Sequence, residues 1–523
     1  MKKIQSLVQV LAMMLSFAMT ANAETKDVYR FDEPITLKVS VFDRGTAGGT
    51  PVDDNFYTKW IQENFGDPRN ITIEWVIIPR SEEVAKLNIL MASGEAPDIC
   101  FTYSQDVVSN FVAQGGLYEL TDLVEKYGSH IKEFLGEEII NAGRYDGGLY
   151  AICARRVVLA KQGMFIREDW LEKLGMEMPT TKEEFLNVLR AFRDNDMDGD
   201  GNASNEIPYA MGSDLRTHSD LMLSFFDDLS DRTLACNARP ALPGYKDYAL
   251  FLNQMYNEGL ISPDFALDKT DVLFNDVTAG KAGGYTYNYD HPIRVSPGIL
   301  SSLQTYEPDA KLTALNCFES VTDNSKYYHG LYAADGLCNF IPIYSQHPEA
   351  AMMYLDWLCE FDTIYFLQNG VEGITYTLND AGIPVVVNPD EANHDKYFNS
   401  MQNIDYTLLV NGQWLETEEK TMKAQSLSYQ DYADLYEAMY VVGNTDPLPT
   451  SWHFEVVLEN YAQYNTTLVE LEKELLTKVT MAKPEEASAL FDQLLEQYMA
   501  QGGQAVQDEK YAAWDAAVAN RAQ

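Results

Sequence analysis

Cysteine, histidine and positive charge are all scarce in this chain of 523 residues, which holds six Cys and seven His. Cys100, Cys153, Cys236, Cys317, Cys338 and Cys359 lie far apart, with no CxxC pair and no Cys/His cluster. That spacing excludes compact zinc motifs and a disulfide-dense scaffold. Spacing assigns no pairs, and buried free thiols are the simpler reading. Lys and Arg number 38 against 79 Asp and Glu, a formal charge of −41. Such a chain cannot neutralise a phosphate backbone in bulk, which excludes nucleic acid as a partner. There is no GxSxG, no HExxH, no phosphate-cradling loop, no tandem repeat and no low-complexity linker. The histidines are scattered: His130, His218, His329 and His453 read as packing or surface residues, and His347 as the start of a helix.

Apolar residues make up 46 % of the chain and aromatics 12 %, far too much for a disordered acidic polymer. The length exceeds what one core usually supports, so two large lobes are expected. At the N-terminus Lys2 and Lys3 precede an apolar run, Leu7 to Met19, and Ala21-Asn22-Ala23 supplies small residues for cleavage. Residues 1–23 therefore read as a secretory signal peptide. The run is shorter than the ~20 residues that a membrane span requires. Cleavage removes two lysines and no acids, leaving a mature charge of −43. The first cysteine, Cys100, is far from the cleavage position, so no lipoprotein anchor is expected. The reading is a soluble protein exported to a periplasm or the medium.

Ile35–Phe42, Ile71–Ile78 and Asp98–Tyr103 carry β-rich patterns. Helical patterns over Asn55–Phe65, Glu83–Ala92 and Val107–Gln114 lie between and after them. This alternation predicts an α/β lobe with a parallel sheet. From Gly148 the chain reads as extended and leaving that lobe. Two helices split at Pro179 follow; Thr180 or Thr181 can cap the second, with Glu183 or Glu184 completing a capping box. Further helices are predicted over Tyr248–Asn257, Pro348–Glu360, Thr467–Lys478 and Pro484–Met499.

The sharpest chemical motif is Asp196-Met-Asp198-Gly-Asp200-Gly201-Asn202-Ala-Ser204-Asn205-Glu206. Oxygen side chains recur at every second position and a glycine falls where a tight turn is needed, as in the first half of an EF-hand calcium loop. Asn202 would offer its backbone carbonyl. The twelfth position, where a bidentate acid is expected, is Ile207, and Glu206 stands one place early. Without a cation these acids repel one another, so a structural Ca2+ held by Asp196, Asp198, Asp200, Asn202, Asn205 and Glu206 is expected.

The stretch Phe165–Pro208, with this loop at its end, resembles the extracellular solute-binding proteins of bacterial ABC importers. The likeness is to the sugar-binding family 1 type, nearest the branch with the alginate-binding and LipO-like proteins. Leu90–Asp98, Tyr256–Phe265, Gly280–Tyr289, His347–Trp357 and Gly370–Tyr376 match the family in the same order. The resemblance implies a two-lobed periplasmic-binding-protein fold of class II type, with hinge-crossing segments and a helical C-terminal region. Lobe 1 would comprise 24–152 and 330–400, and lobe 2 would comprise 153–329 and 401–523 with the calcium loop 196–206. A saccharide in the cleft would be delivered by a monomeric receptor to membrane permease subunits after hinge closure.

Sugars offer apolar faces for aromatic rings and hydroxyls for carboxylates, amides and Arg. Tyr289 stands where related proteins often place a stacking Trp, and Tyr285 and Tyr287 share its strand face if the run is extended. Trp414 resembles another cleft tryptophan of that branch. Tyr103 and Gln105 follow the third strand, where α/β sheets present ligand groups. Tyr150 and Tyr376 lie near expected crossings, and Arg44 follows the first strand. The scarcity of Lys and Arg favours a neutral saccharide over a uronate. Two rival readings are weighed: a secreted glycosidase, which needs a carboxylate pair that 79 acids can neither show nor exclude, and a receptor for a peptide or other polar solute.

Overall fold

The computed structural model describes residues 29–46, 48–294, 298–316, 318–387, 389–398, 405–450 and 452–521. The expected signal peptide and Cys317 lie outside them. The strands that organise the molecule are β1 (Ile35–Asp43), β2 (Ile71–Pro79), β3 (Cys100–Thr102), β4 (Ile152–Arg156), β5 (Gln162–Arg167), β6 (Gly284–Asn288), β7 (Leu312–Leu315), β8 (Asp335–Phe340) and β9 (Val410–Asn411).

β1 and β2 pair in parallel from Ile35↔Ile71 to Asp43↔Pro79. Val39 of β1 bridges Ile99, just before β3. β8 then lies antiparallel to both β3 and β4, and β9 runs parallel to β4. The resulting order, β2-β1-β3-β8-β4-β9, is mixed rather than parallel as expected. The reason is topological: β8 re-enters the sheet from the other lobe and runs back through its middle. Leu37, Val39, Val41 and Phe101 pack in this first core with helix residues Ile131, Met352 and Tyr354. Residues 405–411 correct the expected boundary at 400/401. Tyr406, Leu408 and Leu409 belong to the first core, and β9 is held by β4.

The second lobe is built on the antiparallel sheet β6-β5-β7. Side chains alternate across β5. Met164 and Ile166 face one apolar core, whereas Phe165 faces another with Tyr285 and Tyr289. The first of these cores is closed by α1 (Lys182–Asp194), α2 (Glu459–Thr480) and α3 (Pro484–Tyr498). Thr181 caps α1: its Oγ1 accepts from Glu184 N (3.2 Å), and Glu184 Oε2 accepts from Thr181 N (3.2 Å).

Two cysteines depart from the free-thiol expectation. Cys153 of β4 and Cys338 of β8 form a disulfide between directly paired residues of adjacent strands. Cys100, Cys236 and Cys359 are free and buried. The sequence could not show this pairing because 185 residues separate the two positions. No helix among the described residues is long and apolar enough to cross a membrane.

Candidate functional site

Among the described residues, three passages between the lobes are hydrogen-bonded side by side. The first runs from β4 to β5, the second enters β8, and the third leaves β9 for Tyr429 and Tyr436 of the second lobe. Arg156 N donates to Ala334 O (2.8 Å), Tyr332 N to Leu159 O (2.8 Å) and Val157 N to Asn411 O (2.9 Å). Gly412 sits at φ +116 with the Val157 side chain 2.9 Å from where a Cβ would stand. A larger residue there would force the passages apart.

A cavity of about 200 Å³ opens where the passages meet. Arg156, Lys161 and Tyr332 line it from the first two passages, Asn411 and Gly412 from the third, and Tyr289, Asp290, Arg294, Tyr429 and Tyr436 from the second lobe. Tyr429 and Tyr436 stack at 4.7 Å between ring centroids, and Tyr289 stands edge-on to Tyr436 at 6.2 Å. Asp290 accepts from Arg294 Nη2 (2.7 Å), Arg294 Nε (3.0 Å) and Tyr429 OH (2.9 Å). Burial pushes the Asp290 carboxyl up, but Arg294 and the Tyr429 hydroxyl outweigh it and hold it below its ordinary value. Burial lowers the affinity of both Arg156 and Lys161 for their protons. His291, beside this group, is held down to about 3 by burial and by Arg294. A second cavity of about 290 Å³ shares Lys161 and is walled by Arg216, Arg239 and Trp452.

Of the residues singled out from the sequence, Tyr289 lines the first cavity, its ring buried and its hydroxyl without a partner among the described residues. Tyr285 and Tyr287 share its face. Tyr285 is buried against Phe165, with its hydroxyl 3.3 Å from His291 Nδ1, while Tyr287 packs on Phe274 and accepts from Arg216 Nη1 (3.0 Å). Arg44, Tyr103 and Gln105 gather on the first lobe. Arg44 grips Asp405 at 2.7–3.0 Å and reaches Tyr103 OH at 3.4 Å. Asn411 Nδ2 donates to the same hydroxyl (3.5 Å), and Gln105 donates to Asp335 (2.5 Å).

Tyr289 alone of the nine candidates lines the cavity, and the remaining three pack away from the cleft. Trp414 packs edge-on to Phe134 and under Arg155, because Arg155 points to the opposite face of β4 from Arg156. Tyr376 is buried against Tyr365 in a separate hairpin, and Tyr150 packs on the first core.

Sequence reasoning missed Arg156, Lys161, Arg294, Tyr332, Tyr429 and Tyr436. Signals existed for some of them. Tyr429, Tyr432, Tyr436 and Tyr440 recur at helical spacing, and ARRVVLAK concentrates three of the chain's 38 cations.

The 196–206 loop lies on the second lobe. One carboxylate oxygen from each of Asp196, Asp198 and Glu206 falls within 4.8 Å of the others. Asp196 also accepts from Gly199 N (2.8 Å) and Gly201 N (2.9 Å), and both glycines take positive φ. Asp200 turns to Asn202 N (2.8 Å) and Asn205 Nδ2 (2.7 Å), outside that trio, and Asn202 Oδ1 accepts from Ser204 Oγ (2.6 Å). Glu206 Oε1 accepts from Met197 N (2.7 Å). Its Oε2 and Asn205 Oδ1 are buried acceptors with no partner among the described residues. Clustered carboxylate oxygens with orphaned acceptors beside them suit a hard cation.

Residues 48–297 match the family described as bacterial extracellular solute-binding protein. Lipoprotein LipO of Bacillus subtilis (strain 168) is 29 % identical over 245 residues, which cover 45 % of this chain and 47 % of LipO. The fructooligosaccharide ABC transporter substrate-binding protein FusA of Streptococcus pneumoniae serotype 4 is 27 % identical over 259 residues, covering 45 % of this chain and 46 % of FusA. The chain thus spans about half the length of these curated relatives. Whole-fold likeness is broader. FusA in complex with kestose superposes with a TM-score of 0.67 at 17 % identity, covering 93 % of this chain and 100 % of FusA. The alginate-binding protein AlgQ2 without calcium ion gives 0.64 at 20 % identity, covering 93 % and 99 %. These structures establish the two-lobed fold.

Proposed function

We propose, from the match of residues 48–297 to the bacterial extracellular solute-binding protein family, that this chain is the substrate-binding component of an ABC importer. It captures an oligosaccharide between its lobes and presents it, closed, to a membrane permease. The observation that carries this reading is a polar, tyrosine-lined cavity walled by all three interlobe passages and by the second lobe. A ligand there touches the segments that must bend, so binding and closure are coupled. The neighbouring cavity sharing Lys161 gives an oligomer room to continue. Tyr289 and Tyr436 supply contacts in the first cavity, with Asn411; Tyr287, Tyr103, Gln105 and Arg44 flank it and complete the cleft on closure.

The reading includes export by the segment 1–23, a monomeric receptor and no catalytic step. It also includes a structural Ca2+ in the loop, held first by Asp196, Asp198 and Glu206. FusA is named as a fructooligosaccharide binder and AlgQ2 as an alginate binder, and a calcium-free AlgQ2 structure and an EF-hand mutant of FusA exist among the neighbours, which supports both parts.

The test is a thermal-shift screen of the mature protein with calcium against mono- and oligosaccharides, with recovery of each stabilising sugar. A sugar that stabilises and returns intact supports the receptor. One that returns cleaved supports a hydrolase instead. Silence across the panel removes the saccharide assignment.

A further inference from the structure

Cations in and around the cleft come in two kinds. Arg44, Arg216, Arg239 and Arg294 each hold a carboxylate: Asp405 at 2.7 Å, Asp214 at 2.6 Å, Glu472 at 2.8 Å and Asp290 at 2.7 Å. Arg156 and Lys161 form no ion pair among the described residues. Arg156 Nε donates to the backbone carbonyl of Asp335 at 3.3 Å, which leaves both terminal nitrogens of its fork uncommitted, and Lys161 Nζ reaches Thr450 Oγ1 at 3.4 Å. The Asp335 carboxylate is taken by Gln105. Both cations lie over the ring of Tyr332, at 4.3 and 5.6 Å from its centroid, and both line the first cavity. Arg156 and Lys161 are half-buried, and a charge withdrawn from water without an ion pair is costly; a chain with 79 acids had every opportunity to supply one. Two buried hydroxyls of the same lining, Tyr289 and Tyr436, also lack partners among the described residues.

We propose that the first cavity takes a carboxylate-bearing sugar residue, its carboxylate held between the Arg156 fork and the Lys161 ammonium. This rests on the saccharide-receptor reading above and replaces the neutral sugar suggested by overall composition. A planar carboxylate matches two guanidinium N–H groups, and the ammonium adds a point charge. The tyrosine hydroxyls then bond ring hydroxyls while the Tyr429–Tyr436 stack lies against the sugar's apolar face.

The experiment is titration calorimetry of the mature protein with short oligogalacturonides and hyaluronan oligosaccharides, each beside its carboxyl-reduced neutral form, and with a panel of neutral oligosaccharides. The wild type binds an acidic form at least about tenfold more tightly than its reduced counterpart, the scale of one charge-assisted hydrogen bond. Arg156→Gln and Lys161→Gln each lose about that factor for the acid and leave the reduced form unchanged. Both variants unfold in urea near the wild-type midpoint without ligand, since neither substitution breaks an ion pair. Equal affinity for acid and reduced forms, variants that bind the acid as the wild type does, or binding confined to the neutral panel overturns the acidic assignment and leaves the saccharide receptor standing. Binding to no saccharide of any arm removes both readings.

Discussion

The acidic loop at 196–206 and the interlobe cavity are opposites in charge and in self-sufficiency. The loop gathers carboxylates and quenches most of them on its own backbone N–H groups within eleven residues. What it leaves open is a small nest of oxygens. The cavity gathers cations and hydroxyls from Arg156 to Tyr436, and what it leaves open is positive. A loop that is nearly complete alone can serve stability wherever it sits. A cavity assembled from three passages cannot form until both lobes have folded, so its unmet bonds are left open to whatever enters afterwards.

That contrast can be broken in several places. Tyr289→Ala is expected to have the largest effect. The ring is buried against Tyr436, Tyr440 and Gly443. Its loss should cost about 3–5 kcal/mol in urea unfolding, as for other buried aromatics. A small cost would mean that the cavity wall is separable from the core. Next, chelation or the pair Asp196→Asn with Asp198→Asn should remove stability of about 2.7 kcal/mol where calcium stands at a hundred times its dissociation constant. Ligand affinity should stay as it was; a parallel fall in affinity would join two regions held apart here. Tyr289→Phe should then leave stability unchanged and weaken ligand binding by about tenfold, the worth of one hydrogen bond. Calorimetry with the identified ligand checks it, and unchanged affinity would remove that hydroxyl from the contact set. Trp414→Ala should have the smallest effect on binding, within about twofold, because the ring packs under Arg155 away from the cavity. A large loss there would reinstate it as a cleft residue.

The acidic loop was legible in the sequence because its carboxylates are neighbours in the chain and their spacing carries the expectation of a cation. α1 and its capping box were legible for the same reason. The two lobes followed from length, and the strand–helix alternation of the first lobe from periodicity. What could not be read was whatever depended on pairing at a distance. β8 entering antiparallel, Cys153 meeting Cys338, and residues 405–411 returning to the first core are all choices made between segments far apart. The cavity belongs to that class. Tyr289 was found through the family resemblance of the Gly280–Tyr289 segment, but Arg156 and Arg155 are indistinguishable as letters. Only the pleat of β4 decides that one faces the cavity and the other faces Trp414.

Helix α2 is built into the second core through Leu475, Leu476 and Val479. At its other end, Tyr461 OH and Asn465 Nδ2 both donate to Asp106 on the first lobe, at 3.2 and 3.1 Å. The molecule therefore has a strut outside its hinge. Any rotation about the three passages must carry the strut along or snap two bonds to one carboxylate. Asp106 thus ties the two lobes together at a point outside the passages. Swapping that single side chain should retune the opening angle without touching a residue that the ligand meets.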